Sequence, residues 1–252
     1  MLERKVNAVV LRSVDYRESD RILTLLSPDC GKLTAAARGC RRLKSPLLSC
    51  SQPFCYAEFV LAPLMGKWTV RQCALKESFY DLRLHYPRLT AAAAALREAE
   101  AAAPEDQPAK QLFLLVYCAL SFWAYAENPA TDLLLCFLLK LLALSGYLPA
   151  TTRCGVCGQS TYKNARFDAD LGALCASCGA LRGGIPTAPL TLEAMRRMIA
   201  LPEQDMKKVA LPGAVRRELL AVLPGYYLHH TGRGKELKGL LEGLANMEAR
   251  PE

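Results

Sequence analysis

Four cysteines in two closely spaced pairs place the strongest constraint on how this chain folds. Cys154 pairs with Cys157, and Cys175 pairs with Cys178, in the pattern C-x2-C-x17-C-x2-C. Two intervening residues let both sulfurs of a pair reach one ion, so two such pairs complete a tetrahedral zinc site. Because four thiolates fill the coordination sphere, the pattern predicts one structural zinc ion with no open position for water or substrate.

Cysteine pairs of this kind have two other uses in proteins. An iron–sulfur cluster also takes four cysteines, and spacing alone does not separate it from zinc. A redox-active pair needs a thioredoxin-like βαβ context, which the flanking sequence does not provide. The segment between the pairs, Tyr162–Leu174, contains Phe167 and Leu171 and is predicted to form a short hairpin over the metal.

The other seven cysteines show no ligand spacing and are predicted to be buried or unreactive thiols. The N-terminus has no long apolar segment after its charges, so we expect no signal peptide, no disulfide framework and a reducing, cytoplasmic location. Residues 112–126 and 133–149 are predicted to be buried helices, because a bilayer span takes about 20 uninterrupted apolar residues. The scattered cysteines are Cys30, Cys40, Cys50, Cys55, Cys73, Cys118 and Cys136.

The first 80 residues have the pattern of a small β-barrel. Five apolar-rich runs are separated by turn signals such as residues 27–31 and 63–66. Five short antiparallel strands within this length favour a closed barrel, because closure removes exposed sheet edges. The predicted strands are 6–13, 21–26, 32–37, 54–62 and 68–75.

After residue 80 the apolar pattern becomes helical. The fold class is therefore α+β, a five-stranded barrel followed by an all-α domain that carries the four-cysteine insert. A break or kink is expected at Pro224-Gly225. The predicted later helices are 111–127, 131–145, 191–201, 212–231 and 235–247. The predicted domains are 1–80 for the barrel, 81–150 with 184–252 for the helices, and 151–183 for the insert.

A basic loop follows the third predicted strand. The formal net charge of +8 favours a polyanionic partner, and residues 32–44 contain no acid. Clustered Lys and Arg side chains at one edge of a barrel suit a phosphate backbone, and the last hairpin would extend the stripe. A solvated, mobile charge run is the alternative. The predicted DNA-binding residues are Lys32, Arg38, Arg41, Arg42, Lys44, Lys67 and Arg71.

Three aromatic residues, Phe54, Tyr56 and Trp68, lie in the last two predicted strands. Flat side chains of this kind stack on the unpaired bases of single-stranded nucleic acid. Burial in the barrel core is the competing interpretation, and the residue types favour it.

The sequence carries no familiar catalytic motif. It has no phosphate-binding GxxxxGK[ST] loop, no GxGxxG opening a helix and no HExxH. His229 and His230 are adjacent on one predicted helix, where neighbouring residues do not share a face, so they are expected at a surface and not as a ligand pair. We therefore predict a binding protein and not an enzyme.

Several short segments follow one family pattern, most specifically between residues 8 and 54. They are Ala8–Leu11, Tyr16–Asp20, Gly31–Leu33, Ala37–Gly39, Arg41-Arg42, Lys44-Ser45 and Pro53-Phe54. With the order of barrel, helices and insert, they resemble the RecO family of bacterial DNA repair and recombination mediators over nearly the whole chain. The C-terminal similarity, at Tyr226–His229 and Leu237-Lys238, is weaker, and Gly239 stands where many relatives have serine.

The resemblance implies an N-terminal OB-fold, a helical domain and a zinc-binding module. It implies binding to single- and double-stranded DNA, annealing of complementary strands and, in the RecF pathway, loading of recombinase onto strands coated by single-stranded-DNA-binding protein. The implied partners are RecR and the acidic C-terminal tail of the single-stranded-DNA-binding protein. The resemblance implies no membrane partner, and it implies a location at the nucleoid in the bacterial cytoplasm. Some family members lack the four cysteines, so the zinc rests on this sequence's own spacing.

Two other functions remain compatible with the sequence. The chain would be an RNA-binding or RNA-annealing protein if its barrel takes RNA, because OB barrels accept either nucleic acid. It would be a protein-assembly factor if its basic face meets acidic proteins. Competition between DNA and RNA oligonucleotides, and binding to acidic peptides, would separate these functions.

Overall fold

A computed structural model describes residues 3–160 and 163–249, and the chain divides into two compact units, Met1–Tyr125 and Ala126–Glu252. The first unit contains a barrel and two helices, and the second contains the cysteine pairs. Within the described ranges, no helix has both the length and the apolarity that crossing a bilayer requires. The domain limits set from the sequence at residues 80, 150 and 183 stay a prediction.

Five strands close into a barrel, as the sequence predicts. The strands are β1 (Arg4–Tyr16), β2 (Asp20–Ser27), β3 (Gly31–Ala37), β4 (Tyr56–Leu64) and β5 (Lys67–Glu77). Their order around the barrel is β1-β2-β3-β5-β4, and neighbours are antiparallel except at the seam between β3 and β5. This parallel seam rests on two residue pairs, Ala35 with Trp68 and Ala36 with Thr69.

Alternating side chains fill the barrel. Strand residues two apart point to the same face, so an apolar residue at every second position lines the interior. This alternation is the reason why the barrel is readable from the sequence. The core residues of β1 and β4 are Val6, Ala8, Val10, Ala57, Phe59 and Leu61.

The strand predicted over residues 54–62 begins two residues too early. Phe54 has a φ of 76°, which is the left-handed region and not extended strand. Its backbone N–H nevertheless donates to the carbonyl oxygen of Val10 over 2.9 Å, and its side chain is buried. Phe54 therefore belongs to the loop that enters β4.

Two helices complete the first unit. They are α1 (Tyr86–Ala102) and α2 (Lys110–Tyr125). The chain between them packs directly on the β2–β3 turn at Gly31, which has a φ of +64° and where a Cβ would lie 2.2 Å from the carbonyl oxygen of Gln107. The backbone N–H of Lys32 donates to the carbonyl oxygen of Pro104 over 2.8 Å. Both the backbone conformation and the available space therefore require glycine at residue 31.

Helices dominate the second unit. They are α3 (Ala130–Leu144), α4 (Ala176–Arg182), α5 (Pro189–Ala200), α6 (Gly213–Thr231) and α7 (Leu237–Glu248). Asp132 of α3 is fully buried, and Arg216 of α6 binds both of its carboxylate oxygens over 2.5 and 2.8 Å. The backbone N–H of Leu211 donates to the same carboxylate over 2.9 Å. Hydrogen bonds thus compensate the burial of this charge pair, which fixes α6 against α3.

Of the break or kink predicted at Pro224-Gly225, the break does not occur, because α6 runs without interruption from Gly213 to Thr231. Pro224 removes one backbone donor, but Leu223, Tyr226 and Tyr227 around it are buried. Burial of this face outweighs the missing hydrogen bond. The helix ends at Gly232, which has a φ of 66°.

A small sheet accompanies the cysteine pairs. Its strands are β6 (Arg166–Asp168), β7 (Gly172–Leu174) and β8 (Ile185–Pro186), in the order β7-β6-β8. The antiparallel pairing of β6 with β7 confirms the predicted hairpin, although Tyr162 lies outside the described residues. The Phe167 ring meets the Tyr226 ring edge to face, with centroids 5.6 Å apart, and this contact joins the sheet to α6.

Candidate nucleic-acid interface and metal centre

A groove of about 850 Å³ opens beside the parallel seam of the barrel. Its walls come from the β1–β2 turn, from β2, β3 and β5, and from the β4–β5 hairpin, with one side closed by the chain after α1. Met65 at the tip of the hairpin is 95% exposed, so this wall of the groove borders solvent. The cations on its walls are Arg17, Lys32, Arg38 and Lys67, and the acids are Asp20, Glu105 and Asp106.

Three of the predicted DNA-binding residues, Lys32, Arg38 and Lys67, line this groove. Arg38 and Lys67 are exposed. Lys32 is half-buried, and its Nζ atom lies 3.5 Å from Glu105 Oε1 and 3.3 Å from the carbonyl oxygen of Glu100. The charge of Lys32 is therefore partly satisfied within the protein, while Arg38 and Lys67 present theirs to solvent.

Arg41, Arg42 and Lys44 are exposed on the loop that follows β3. They are not among the residues that line the groove. Two hydrogen bonds fix the start of this loop to the β1–β2 turn. Gly39 donates its N–H to Asp20 Oδ1 over 2.7 Å, and Arg41 donates its N–H to the carbonyl oxygen of Ser19 over 3.0 Å. The start of the loop is thus held in place and is not a freely moving charge run.

An acidic side chain restrains Arg41. The Arg41 Nη2 atom lies 3.3 Å from Asp15 Oδ2, and Arg21 Nε lies 2.9 Å from Asp15 Oδ1. The hydrogen bond from Arg21 lowers the pKa of Asp15, burial opposes this effect, and the nearby charges of Arg41 and Arg21 lower the pKa further. Arg71 is exposed on β5 and lies outside the described groove-lining set.

The three candidate stacking residues have different surroundings. Phe54 is buried and Arg83 lies over its ring at 5.5 Å. The Tyr56 ring packs against Tyr117 of α2 at 5.2 Å between centroids. Trp68 alone of the three lines the groove, where it is partly buried against the barrel core.

Two groove residues escaped the sequence prediction of DNA-binding residues. Tyr16 and Arg17 sit at the β1–β2 turn, with the Arg17 guanidinium 5.2 Å from the centroid of the Tyr16 ring. The signal that points to them is a cation beside an aromatic residue at a hairpin turn. Closure of the barrel brings this turn and the β4–β5 hairpin to the walls of the same groove.

The predicted metal ligands come together in space. The sulfur atoms of Cys154, Cys157, Cys175 and Cys178 all lie within 4.8 Å of one another, and those of Cys157 and Cys175 are 3.7 Å apart. Four sulfurs bound to zinc at about 2.3 Å in a tetrahedron are about 3.8 Å from each other. The cluster is therefore the right size to hold one metal ion with four thiolates.

Backbone hydrogen bonds shape the first cysteine pair. Gly158 donates its N–H to the carbonyl oxygen of Cys154 over 2.9 Å, and Gly155 donates to Ala173 over 2.9 Å. Gly158 has a φ of +71°, and a Cβ at Gly155 would lie 2.8 Å from the Cβ of Leu171. The turn therefore needs both glycines, and the second bond holds it against β7.

Two of the four thiols have shifted pKa values, in opposite directions. Burial opposes ionisation of Cys154, but hydrogen bonds from the backbone of Cys157, Cys175 and Val156 lower its pKa to about 6. Hydrogen bonds to the sulfurs of Cys175 and Cys157 raise the pKa of Cys178 to about 12. Cation binding requires thiolates, so metal loading would release the remaining protons.

The seven scattered cysteines lie apart from the four-cysteine cluster. Six are buried, and Cys73 is partly buried against the barrel core. The prediction that they are buried thiols is thus confirmed for the six, while Cys73 remains in partial contact with solvent.

A closed five-stranded barrel with a cation-lined groove and a four-cysteine cluster define the class, a basic OB-like barrel protein that carries a possible metal-binding module. The chain belongs to the Recombination protein O family. The family's N-terminal model matches residues 1–79, and its C-terminal model matches residues 83–239.

Individual relatives agree with this assignment. The DNA repair protein RecO of Alkaliphilus metalliredigens is 34% identical over 231 residues, which is 91% of this chain and 94% of that protein. The RecO of Acetivibrio thermocellus is 35% identical over 175 residues, covering 69% of this chain and 70% of the relative. The RecO of Symbiobacterium thermophilum is 31% identical over 251 residues, covering 95% and 96%.

Proposed function

We propose that this chain is a DNA repair and recombination mediator. It binds single- and double-stranded DNA, anneals complementary strands and, in the RecF pathway, helps load recombinase onto DNA coated by single-stranded-DNA-binding protein. Membership of the Recombination protein O family supports the broad role in DNA repair and recombination. The groove of the barrel supports the finer mechanism.

The observation that carries the proposal is the groove beside the β3–β5 seam. Four cations and the Trp68 ring line one open cleft of about 850 Å³, together with three acids. Cations along a backbone path, with an aromatic ring for the bases, are the combination that binds single strands without sequence preference. The barrel, residues 1–80, is the DNA-binding domain in this proposal.

Annealing follows from charge neutralisation. Two single strands repel each other through their phosphates, and bound cations lower this barrier. Arg41, Arg42 and Lys44 on the neighbouring loop, with Arg71 on β5, supply charge outside the groove. One strand in the groove and a second along the loop would meet with their charges reduced.

The metal in this proposal is one structural zinc ion in the insert, residues 151–183. Four thiolate ligands suit zinc and leave no open coordination position, so the ion stabilises the fold and takes no part in chemistry. The chain then acts by binding and not as an enzyme.

The proposed partners are RecR and the acidic C-terminal tail of the single-stranded-DNA-binding protein. A basic chain suits an acidic tail, because opposite charges steer association. Chromosomal DNA is the substrate, so the proposed location is the nucleoid within the bacterial cytoplasm. The helical residues that bind the tail stay unassigned.

The test is annealing of two complementary oligonucleotides that are first coated with single-stranded-DNA-binding protein. We expect the chain to accelerate annealing, and the acceleration to fade as salt is raised. Reactions without the chain give the baseline, and metal content and circular dichroism establish that the protein is folded. No acceleration by folded, metal-loaded protein would contradict the mediator function.

Competition separates the two alternatives. If RNA oligonucleotides displace DNA with equal or greater affinity, an RNA-binding function is favoured. If acidic peptides bind while neither nucleic acid does, the chain is an assembly factor. The mediator proposal expects DNA to compete at least as well as RNA.

A further inference from the structure

A second group of metal-binding side chains lies near the C-terminal end of α6, apart from the four cysteines. Asp170, in the turn between β6 and β7, and His229 and His230 of α6 bring their ligand atoms within 4.8 Å of one another. Adjacent residues on a helix point about 100° apart, which is why the sequence predicts surface positions and no ligand pair. His229 is exposed and His230 partly exposed, as a surface position requires, and their ligand atoms nevertheless lie close to that of Asp170.

The His229 contact has the spacing of two ligands on one ion. Its Nε2 atom lies 3.3 Å from Asp170 Oδ1. Two ligand atoms bound at about 2.1 Å in a tetrahedral site are about 3.4 Å apart. Both side chains are about half exposed, so an ion can reach this position from solvent.

His230 is held in the tautomer that a ligand needs. Its Nε2 atom lies 2.8 Å from the carbonyl oxygen of Asp170, an acceptor, so this nitrogen carries the proton. The Nδ1 nitrogen is then left with a free lone pair. Metal-binding histidines typically donate their other ring N–H to a carbonyl or carboxylate in this way. The rings of Tyr226 and Tyr147, with centroids 4.2 and 5.3 Å away, pack on the imidazole.

Asp170 is oriented from two sides. Arg182 Nη2 lies 3.4 Å from Asp170 Oδ2, which leaves Oδ1 facing His229. Asp168 Oδ1 accepts the backbone N–H groups of Asp170 and Leu171 over 3.0 Å each, which fixes the turn. The carboxylate thus offers one oxygen to an ion while the other stays paired.

We propose that Asp170, His229 and His230 bind a second divalent metal ion of the zinc type, with water in the remaining positions. Two imidazole nitrogens and one carboxylate oxygen suit Zn²⁺ or Co²⁺, whereas Mg²⁺ and Ca²⁺ prefer oxygen ligands alone. Three protein ligands leave the site open, unlike the four-cysteine cluster. The ion ties the β6–β7 turn to α6, a role separate from the proposed DNA binding.

Cobalt titration of the full-length, metal-free protein tests the site, with bound cobalt measured after gel filtration. We expect two equivalents, and only one of them should give the intense thiolate-to-cobalt absorption of the cysteine cluster. Excess Mg²⁺ should displace neither. His229→Ala should reduce the count from two to one and keep the thiolate absorption. His85→Ala is the matched control, because His85 is the remaining histidine, is exposed and precedes α1.

His230 packs on Tyr226, so a substitution there can disturb the fold, and His229→Gln provides a second variant that preserves bulk. Retained thiolate absorption reports that each variant still folds around its cysteines. One equivalent in the wild-type protein would overturn the proposal and leave an ion pair between His229 and Asp170. Two equivalents in both His229 variants would overturn it equally.

Discussion

The basic face of the barrel and the four-cysteine cluster each bring several side chains of one type together. The arginines of the first are exposed, whereas two of the cysteines of the second are buried. Arg38, Arg41 and Arg42 are exposed, and an exposed ion pair such as that of Arg41 with Asp15 adds little to the stability of the fold. The thiols of Cys154 and Cys175 are buried, and a structural zinc ion contributes about 10–16 kcal/mol of apparent binding energy at neutral pH. In the proposed function, the first region keeps its charges for DNA, and the second depends on a bound metal ion for its stability.

The largest effect is expected from Cys175→Ser, which leaves three thiolates. The metal should be lost, and the β6–β7 hairpin should lose protection from hydrogen exchange, because the ion holds both cysteine pairs. Metal content and hydrogen exchange measure this loss. Cys73→Ser, outside the cluster, is the control and should retain the metal. A fully metallated Cys175→Ser protein with unchanged exchange would rule out the four-ligand site.

The next largest effect concerns the basic loop. Arg41→Glu combined with Arg42→Glu should weaken DNA binding at least about tenfold near 0.1 M salt, and should lower the single-strand salt slope by about 1.4. The unfolding temperature should not change, because both side chains are exposed. Binding isotherms at several salt concentrations provide the measurement.

Arg196→Glu combined with Arg197→Glu, on α5, changes the net charge equally and serves as the control for the loop. If the two double variants lose the same affinity, net charge and not the loop explains binding. Unchanged affinity of the loop variant at moderate salt would remove Arg41 and Arg42 from the interface.

A smaller effect is expected at the groove, where Trp68→Ala should cost about 1 kcal/mol of single-strand affinity, or about fivefold. Duplex affinity should change less, because paired bases do not stack on a side chain. Trp68→Phe keeps a ring in the partly buried position and should recover most of the loss.

Fluorescence gives an independent view, because Trp123 is the other tryptophan and is buried. Single-stranded DNA should quench the emission of Trp123→Phe protein and leave that of Trp68→Phe protein unchanged. The reverse pattern would move the single strand out of the groove.

The smallest effect is expected from Asp15→Asn, which releases Arg41 from its acidic partner and should raise DNA affinity about twofold, as for a weak exposed ion pair. Because the hydrogen bond from Arg21 lowers the pKa of Asp15, the carboxylate stays ionised to a lower pH than an ordinary aspartate does. The gain should therefore be constant between about pH 6 and pH 8, and should vanish in acid as wild-type Asp15 protonates. A gain that varies across neutral pH would point to a different titrating group.

Much of the barrel and all four clustered cysteines could be predicted, because both are local signals. The period-two pattern places Val6, Ala8 and Val10 on one face, and the CxxC spacing brings each pair of sulfurs together. The loop position of Phe54 could not be predicted, because an apolar side chain gives no indication that its backbone φ is 76°.

The parts that escaped prediction depend on contacts between distant segments. Arg17 belongs to the groove only because barrel closure brings its turn to the cleft that Lys67 also lines. Asp170 meets His229 and His230 only because the β6–β7 turn packs on α6, far along the chain. No sequence spacing predicts that such positions meet, because only the packing of the folded chain brings them together.

The parallel seam between β3 and β5 also bears on synthesis of the chain. Its two residue pairs join segments that are separated by the basic loop and all of β4, so closing it costs more chain entropy than forming a hairpin. While the ribosome has released β1 to β3 but not Trp68 and Thr69, the edge of β3 has no partner and is open to pairing with other chains. That interval ends when β5 pairs with β3 and the barrel closes.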